Sequence, residues 1–272
     1  MSFSGHVPRK RFGQHWLRDE VVLEEIIAAA DLKPLDRVLE IGPGRGVLTE
    51  KLLKSNVALV HGIELDRDLV AGLKKRFFEH PRFSLKEGDV LSDALLPFDG
   101  VPANKVVANI PYNITGPLLE RLVGSLGSPA EGEFQRLVLL MQKEVAQRIL
   151  SLPGQSSFSA MTVRLQLLAN CTGVCEVPPS SFTPSPKVHS QVIVLDPLRT
   201  SNRLNFELER RIEGLLRVAF LSRRKKLRNT LGRICPLDKL EVLAKRLGIS
   251  LDQRPQEVAP MTWVELARGL EK

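Results

Sequence analysis

The chain has 272 residues, of which 43% are hydrophobic and 26% are charged, and its formal net charge is +8. No run approaches the roughly 18 consecutive apolar residues of a membrane-spanning helix, and the start of the chain lacks the apolar stretch of a secretory signal. The three cysteines, Cys171, Cys175 and Cys235, are an odd number without metal-ligand spacing, so we expect a reduced, cytoplasmic protein without a metal site.

The first two-thirds of the chain alternates short β-rich runs with helical stretches, as a parallel sheet with crossover helices requires. The predicted strands are residues 37–41, 58–64, 83–87, 105–108, 136–141 and 191–195. The predicted helices between them include residues 47–55, 67–78, 116–123 and 143–150. This alternation predicts an α/β domain.

The last third follows a different pattern. Residues 177–187 (VPPSSFTPSPK) contain too many prolines for a helix or a central strand and are predicted to form an ordered loop or extended arm. From residue 205 onward only helical periodicity remains, over residues 206–220, a basic stretch through 231, and residues 237–247 and 263–270. We therefore predict two domains, residues 1–197 and a smaller all-helical domain of residues 198–272.

The positive charge lies in the predicted second domain. Residues 198–272 contain 17 Lys and Arg against 9 Asp and Glu, whereas residues 1–197 contain 22 of each. This asymmetry favours a polyanion such as nucleic acid as the partner, although scattered surface charge can also serve solubility. The cluster Arg223, Arg224, Lys225, Lys226 and Arg228 is predicted to contact the phosphates of such a nucleic acid, and a merely solvated face is the alternative.

A glycine-rich turn follows the first predicted strand. The run from Val38 to Gly46 reads VLEIGPGRG, an apolar strand that enters the turn and then a helix. Glycine permits unusual backbone angles and a close approach to a ligand, which makes Gly42 and Gly44 candidate cofactor-binding residues. Alone, such a turn could bind a dinucleotide or a nucleoside, or simply connect a strand to a helix.

Two acidic residues follow the next two predicted strands. Glu64 stands 22 residues after Gly42, and Asp89 precedes Val90 after the third strand. An acid at the end of the second strand can accept both ribose hydroxyls of a nucleoside, and Asp89 could accept a hydrogen bond from an adenine amine. Strand ends of an open α/β sheet meet at one crevice, so these residues predict a nucleoside pocket. Ordinary solvated acids are the alternative.

The fourth predicted strand ends in the tetrapeptide NIPY, residues 109–112. The N6 amine of adenosine is a poor nucleophile, and Asn109 offers a carbonyl that can draw it towards tetrahedral geometry. Pro111 restricts the preceding residue and could help to aim its carbonyl. Tyr112, the only tyrosine in the chain, can stack on an extruded base, an interaction worth about 1–3 kcal/mol. Catalysis would then rest on positioning the amine for reaction and on electrostatic stabilisation of the charge that develops on N6.

With these residues the chain resembles the KsgA-type (RsmA) family of ribosomal RNA adenine dimethyltransferases along nearly its whole length. The blocks that carry the resemblance are RKRFGQHWL (9–17), EIGPG (40–44), IELD (63–66), NIPYN (109–113), QKEV (142–145), VPPS with FTPSPKV (177–188) and RRKKLRN (223–229). The resemblance implies a Rossmann-like class I S-adenosylmethionine-dependent methyltransferase domain, and S-adenosyl-L-methionine as cofactor. It also implies dimethylation of two adjacent adenosines in a hairpin near the 3′ end of small-subunit ribosomal RNA, by an enzyme that is usually a monomer.

The resemblance extends the candidate site. It implies that His15 and Leu17 line the cofactor site within an N-terminal segment, residues 1–20, and that Phe182 faces the target base opposite Tyr112. Arg9, Lys10 and Arg11 are candidates for further RNA contacts, or else a disordered basic start. The chain departs from the family pattern at His15, where many relatives have Asn, and at Trp16, where they have Phe.

Two rival functions stay open on the sequence. An erythromycin-resistance type methyltransferase, which acts on large-subunit RNA, would share the NIPY site, but the RRKKLRNTL stretch and the basic helical tail favour the KsgA-type interpretation. A non-catalytic RNA-binding or transcription factor could retain the fold, although it would not need complete cofactor and acceptor sites. The zinc deaminase signature is absent from the sequence.

Overall fold

The computed structural model describes residues 14–95, 100–130 and 132–270. Its strands are β1 (Trp16–Leu17), β2 (Arg37–Ile41), β3 (Leu59–Glu64), β4 (Phe83–Glu87), β5 (Lys105–Asn109), β6 (Arg136–Gln142), β7 (Ala169–Val177), β8 (Phe182–Thr183) and β9 (Ser190–Pro197). Its α-helices are α1 (Glu20–Ala30), α2 (Val47–Lys54), α3 (Arg67–Arg76), α4 (Thr115–Val123), α5 (Lys143–Leu150), α6 (Ala160–Leu168), α7 (Phe206–Phe220), α8 (Leu227–Leu231), α9 (Leu237–Leu247) and α10 (Pro260–Gly269). The RNA contacts predicted for Arg9, Lys10 and Arg11 lie outside the described residues.

Seven strands form one sheet in the order β4-β3-β2-β5-β6-β9-β7. The chain runs outward from β2 through β3 to β4 and then resumes at β5 on the other side of β2, so the strand order reverses between β2 and β5. Ligands of open α/β sheets bind beyond the carboxyl ends of the strands at such a reversal. The Rossmann-like α/β fold predicted from the sequence is therefore confirmed.

The sheet is mixed rather than purely parallel. β2 to β6 pair in parallel, but β9 runs antiparallel to β6, with Leu139 opposite Ile193. The prediction of a parallel sheet was wrong for β9, because an apolar run of this length is equally compatible with either direction of pairing.

The sequence patterns also missed β7 and α1. β7 reads ANCTGVCEV and is an edge strand whose side chains are mostly exposed or half-buried, so the apolar signal of a strand is weak there. α1 begins at the N-cap Asp19, whose side chain accepts hydrogen bonds from the amides of Val21 and Val22. It buries Leu23 and Ile26 in the core against the sheet.

The described chain divides into two compact units. The first contains the chain up to Val123 together with Ala130–Ala146 and Cys171–Pro197, and the second contains Gly124–Pro129, Gln147–Asn170 and the chain from Leu198 onward. The predicted division into residues 1–197 and 198–272 differs from this partition in the two inserted segments. A local sequence pattern does not reveal the packing partner of α6. In the structure Arg164 of α6 forms two hydrogen bonds of 2.7 Å with Glu213 of α7.

Within the described ranges, none of the helices combines the length and apolar character needed to cross a membrane.

Candidate active site

A cavity of about 320 Å³ lies at the carboxyl ends of β2, β3, β4 and β5, within the first unit. Its size falls in the range of small-molecule sites. Nine residues predicted for the cofactor or acceptor site line it: His15, Gly42, Gly44, Glu64, Asp89, Val90, Asn109, Pro111 and Tyr112. The structure therefore gathers residues from four strand ends and from the segment before β1 around one space.

The glycine turn after β2 needs glycine for two different reasons. Gly42 and Gly44 both have positive φ angles, 64° and 61°. A Cβ atom on Gly42 would meet no protein atom within 4 Å and would project into open space, whereas a Cβ on Gly44 would lie 2.9 Å from Cδ1 of Trp16. Gly42 thus leaves room for a ligand, and Gly44 leaves room for the Trp16 ring.

Glu64 lies at the end of β3 and is 7% exposed. Its Oε2 accepts a hydrogen bond from the Gly44 amide at 3.0 Å, and its Oε1 accepts one from the Asp66 amide at 2.9 Å. Burial raises the pKa of Glu64 although both amides oppose this shift. Each carboxylate oxygen keeps a second lone pair. Glu64 can therefore accept a ligand hydroxyl while it holds the glycine turn.

The sequence reasoning missed Glu40, a second carboxyl group on β2. Glu40 is 1% exposed, and its Oε2 has no hydrogen-bond partner among the described residues. Burial raises its pKa to about 8, and the nearby charge of Glu64 acts in the same direction. Glu40 is therefore a neutral acid at pH 7. It borders a separate cavity of about 40 Å³ beneath the glycine turn, together with Gly42 and Asn109.

Asp89 begins a tight turn after β4. Its Oδ1 accepts a hydrogen bond from the Leu91 amide at 2.9 Å, which leaves Oδ2 as a further acceptor. Arg121 of α4 donates to the backbone carbonyl of Val90 and, at 2.6 Å, to that of Asp93. The turn that presents Asp89 and Val90 is thus stabilised by its own hydrogen bond and by those from Arg121.

The orientation of the Asn109 side chain follows from one hydrogen bond. Its Nδ2 donates to the backbone carbonyl of His15 at 2.9 Å. A carbonyl oxygen can only accept, so the amide nitrogen must face His15. The side-chain oxygen Oδ1 is the remaining polar atom, which agrees with the acceptor role predicted for it.

Tyr112 is held at its hydroxyl and on one face. The hydroxyl lies 2.6 Å from Oγ of Ser190, a fully buried residue of β9. The imidazole of His15 stacks on the phenol ring, with ring centroids 5.6 Å apart and planes 26° apart. Burial raises the pKa of Tyr112, so its hydroxyl stays protonated at neutral pH.

The structure places Leu17 and Phe182 differently from the expectation. Leu17 of β1 pairs with Phe182 of β8, and both side chains lie in the hydrophobic core, 6% and 2% exposed. Neither lines the main cavity, although Leu17 borders the small one. The Phe182 ring lies in the core, so the structure does not place it at the cavity opposite Tyr112.

The sequence patterns also missed residues that act through tertiary contacts. Gln14 donates to Oδ2 of Asp66 at 2.9 Å, and Trp16 lies under the guanidinium of Arg45 at 3.9 Å. No local pattern marks these residues, or Ser190 and Arg121, as part of a site. The FGQHW block of the family resemblance was the one signal that included Gln14 and Trp16.

Comparison with known proteins agrees with this geometry. The profile described as "Ribosomal RNA adenine dimethylase" matches residues 5–272. The chain belongs to this family. A relative from a strain of Prochlorococcus marinus, named "Ribosomal RNA small subunit methyltransferase A", is 71% identical over all 272 residues and 98% of its own length. A relative with the same name from Synechococcus sp. strain WH7803 is 64% identical over 272 residues and 97% of its length.

Two solved structures resemble the dimethylase over nearly its full length. A dimethyladenosine transferase from Plasmodium falciparum is 30% identical with a TM-score of 0.76, covering 93% of this chain and 96% of its own. The 23S rRNA methyltransferase ErmE is 26% identical with a TM-score of 0.76, covering 94% of this chain and 100% of its own. The enzyme class predicted from the sequence, an rRNA adenine dimethyltransferase that uses S-adenosyl-L-methionine, is confirmed.

The cavity fits that cofactor in its chemistry. The open space at Gly42 accommodates a ligand close to the backbone, the acids Glu64 and Asp89 can accept from hydroxyl and amine groups, and Ile63, Leu65 and Leu91 provide apolar walls. When bound, S-adenosyl-L-methionine supplies an electrophilic methyl group on a positively charged sulfur. The assignment of individual residues to the cofactor remains a prediction.

The basic cluster of the dimethylase lies in the second unit and is not uniform. Arg223 donates to the carbonyls of Ser156 and Phe158 at 2.8 and 2.7 Å. Lys226 and Arg228 both pair with Asp252, at 3.5 and 2.8 Å. Among the described residues no such partner is found for the exposed side chains of Arg224 and Lys225. These two are the best candidates in the cluster for phosphate contacts.

Proposed function

We propose that this enzyme dimethylates the N6 amines of two adjacent adenosines in the 3′-terminal hairpin of small-subunit ribosomal RNA, during small-subunit biogenesis. The observation that carries the proposal is the full-length identity of 71% with a protein named "Ribosomal RNA small subunit methyltransferase A". With this substrate the enzyme would act in the cytoplasm on the assembling small subunit. The family resemblance supports a monomer.

The cofactor residues of the proposal are His15, Leu17, Gly42, Gly44, Glu64, Asp89, Val90 and Asn109. Glu64 would accept the ribose hydroxyls, and Oδ2 of Asp89 would accept from the adenine amine. Leu17 would act through its backbone, because its side chain is in the core. His15 would also act through its backbone, because its imidazole contacts Pro184 and Tyr112. The rigid strand ends hold these groups before any ligand arrives, which reduces the ordering cost of binding.

The acceptor residues of the proposal are Asn109, Pro111 and Tyr112. The Asn109 Oδ1 would accept a hydrogen bond from the target N6 amine and draw its lone pair towards the methyl donor. Tyr112 would carry the target base on its ring. The contact with Asn109 needs one hydrogen on N6, and a monomethylated amine still has one. The arrangement therefore supports a second transfer and a dimethylated product.

The proposal is tested on whole ribosomal subunits. Purified enzyme is incubated with labelled S-adenosylmethionine and with unmethylated small or large subunits in separate reactions, and modified nucleosides are identified by mass spectrometry. We expect dimethyladenosine at two neighbouring positions near the 3′ end of small-subunit RNA. The Asn109→Ala variant should lose turnover far more than it loses RNA affinity.

The other outcomes discriminate the rival functions. Label confined to large-subunit RNA would contradict the proposal and show that the enzyme has the resistance-type activity. Tight cofactor binding without label in either subunit would contradict enzymatic action on ribosomal RNA and favour a non-catalytic binder.

A further inference from the structure

His15 connects three parts of the first unit. Its backbone carbonyl accepts from Asn109 Nδ2 at 2.9 Å, its Nδ1 lies 2.7 Å from the carbonyl oxygen of Pro184, and its ring stacks on Tyr112. The contact with Asn109 uses only the main chain, so a side-chain substitution at residue 15 can leave it intact. The other two contacts belong to the imidazole.

The contact with Pro184 determines which nitrogen carries a proton. The carbonyl oxygen of Pro184 can only accept, so Nδ1 of His15 must be the donor. This bond fixes the plane of the imidazole, and the fixed plane lies against the phenol ring. A stacked pair at this separation attracts beyond simple area burial.

Tyr112 thereby becomes a one-sided platform. Its hydroxyl is anchored by Ser190, one face is covered by His15, and the residue lines the cavity. We propose that His15 is a positioning residue that orients the Tyr112 ring and leaves only its opposite face for the target adenine. This inference rests on the proposed methyl transfer to a base stacked on Tyr112.

A side chain without a ring at residue 15 would leave the face of Tyr112 that the imidazole covers exposed. In this chain the ring orientation depends on the imidazole as well as on Ser190, so the loss of the imidazole should allow the phenol to rotate away from the orientation that a base needs. Rotation of a base platform should lower the rate of transfer rather than the affinity for the cofactor.

The contact between His15 and Tyr112 can be measured by a method that needs no enzymatic activity, because Tyr112 is the only tyrosine in the chain. Protein with 13C at the tyrosine ring carbons should give one set of ring signals by NMR. A stacked imidazole shifts the attached ring protons upfield. The His15→Ala variant should lose this shift, and His15→Phe should retain much of it. The control His80→Ala, whose ring nitrogen Nδ1 accepts from the Arg82 amide, should not change it. Thermal unfolding of each variant shows that it is folded.

Turnover then separates positioning from a merely structural contact. With small subunits and saturating cofactor, His15→Ala should lower kcat by about tenfold or more, and His15→Phe should recover most of that loss. Calorimetry should find cofactor affinity in both variants within about threefold of the parent protein, a change too small to explain such a loss.

Three results would overturn the inference. The Tyr112 signals could stay unchanged in His15→Ala, the signals could move while kcat stays constant, or the whole defect could lie in cofactor affinity. If the parent protein methylates no ribosomal RNA, the proposed function fails separately, and the NMR comparison still decides whether His15 orients Tyr112.

Discussion

The carboxyl group of Glu64 has two partners of its own before any ligand binds, the amides of Gly44 and Asp66. Removal of the side chain would therefore release the glycine turn and the start of α3 as well as a ligand contact. The gentler change Glu64→Gln keeps the size of the group. It removes the charge and places an NH₂ group opposite one of the two amide donors.

For Glu64→Gln we expect a loss of S-adenosylmethionine affinity of about 1.5–3 kcal/mol, the strength of a hydrogen bond to a charged group. Calorimetric titration measures this change. The matched control is Glu87→Gln at the end of β4, since Glu87 is exposed, pairs with Arg67 and does not line the cavity. Equal cofactor affinities of the two variants would show that Glu64 does not bind the cofactor.

Glu40 makes a different prediction, about stability and pH. Its pKa is about 8 in the folded protein, against an ordinary value of 4.5. Below about pH 4.5 the carboxyl is protonated in both states. As the pH rises, the unfolded chain ionises first, so the stabilising contribution is present at low pH and is lost progressively until the pH passes the folded pKa.

The free energy of unfolding should therefore fall between about pH 4.5 and 8 by up to about 1.4 kcal/mol per pH unit from this group alone. The Glu40→Gln variant should lack that contribution. Urea unfolding of both proteins across this range measures the difference between their slopes. Parallel curves would show that Glu40 ionises normally in the folded protein.

At the scale of elements, the turn between β2 and α2 contains three glycines with positive φ and different surroundings. Gly42 has φ +64° and open space beyond its Cα, whereas Gly46 has φ +77° and would place a Cβ 2.7 Å from the Phe77 ring and 2.9 Å from Leu73. A change to alanine therefore tests the space for a ligand at Gly42 and the packing of the core at Gly46.

We expect Gly42→Ala to lower stability by only about 1–2 kcal/mol, the strain of a left-handed backbone, and to weaken cofactor binding clearly. Gly46→Ala carries similar strain and also clashes with the Phe77 ring, so it should lose more stability. Urea unfolding and cofactor calorimetry on both variants measure these effects. Normal cofactor affinity in Gly42→Ala would show that no part of the ligand approaches this residue.

At the scale of the whole molecule, all of the formal net charge lies in residues 198–272, within the second unit. Within the five-residue basic cluster, two side chains have no partner among the described residues. These are Arg224 and Lys225. Lys226 and Arg228 share the charge of Asp252, which weakens their attraction for phosphate.

The double change Arg224→Gln with Lys225→Gln should weaken RNA binding and reduce the slope of log affinity against log salt by about 0.7–0.9 per lost phosphate contact. Binding measured over a salt series gives this slope. The charge-matched control is Lys239→Gln with Lys245→Gln on the exposed face of α9. If both double variants change the slope equally, RNA senses only net charge and the cluster has no special role.

The sequence by itself determined where several strands lie along the chain and which residues stand at their ends. Strand β2 and helix α5 were predicted with the bounds that the structure has, and Gly42, Glu64, Asp89 and Asn109 were expected at one crevice, where they lie. These features depend on local apolar patterns and on the rule that parallel strand ends meet at one edge.

Only the tertiary structure decided how side chains from distant segments meet. Phe182 turned into the core because β8 pairs with β1, and Tyr112 acquired its partners His15 and Ser190 from the two ends of the first unit. The antiparallel direction of β9 was decided in the same way. Two-residue strands and single aromatic residues have no periodicity of their own, so the pairing partner, and not the local sequence, decides which way they face.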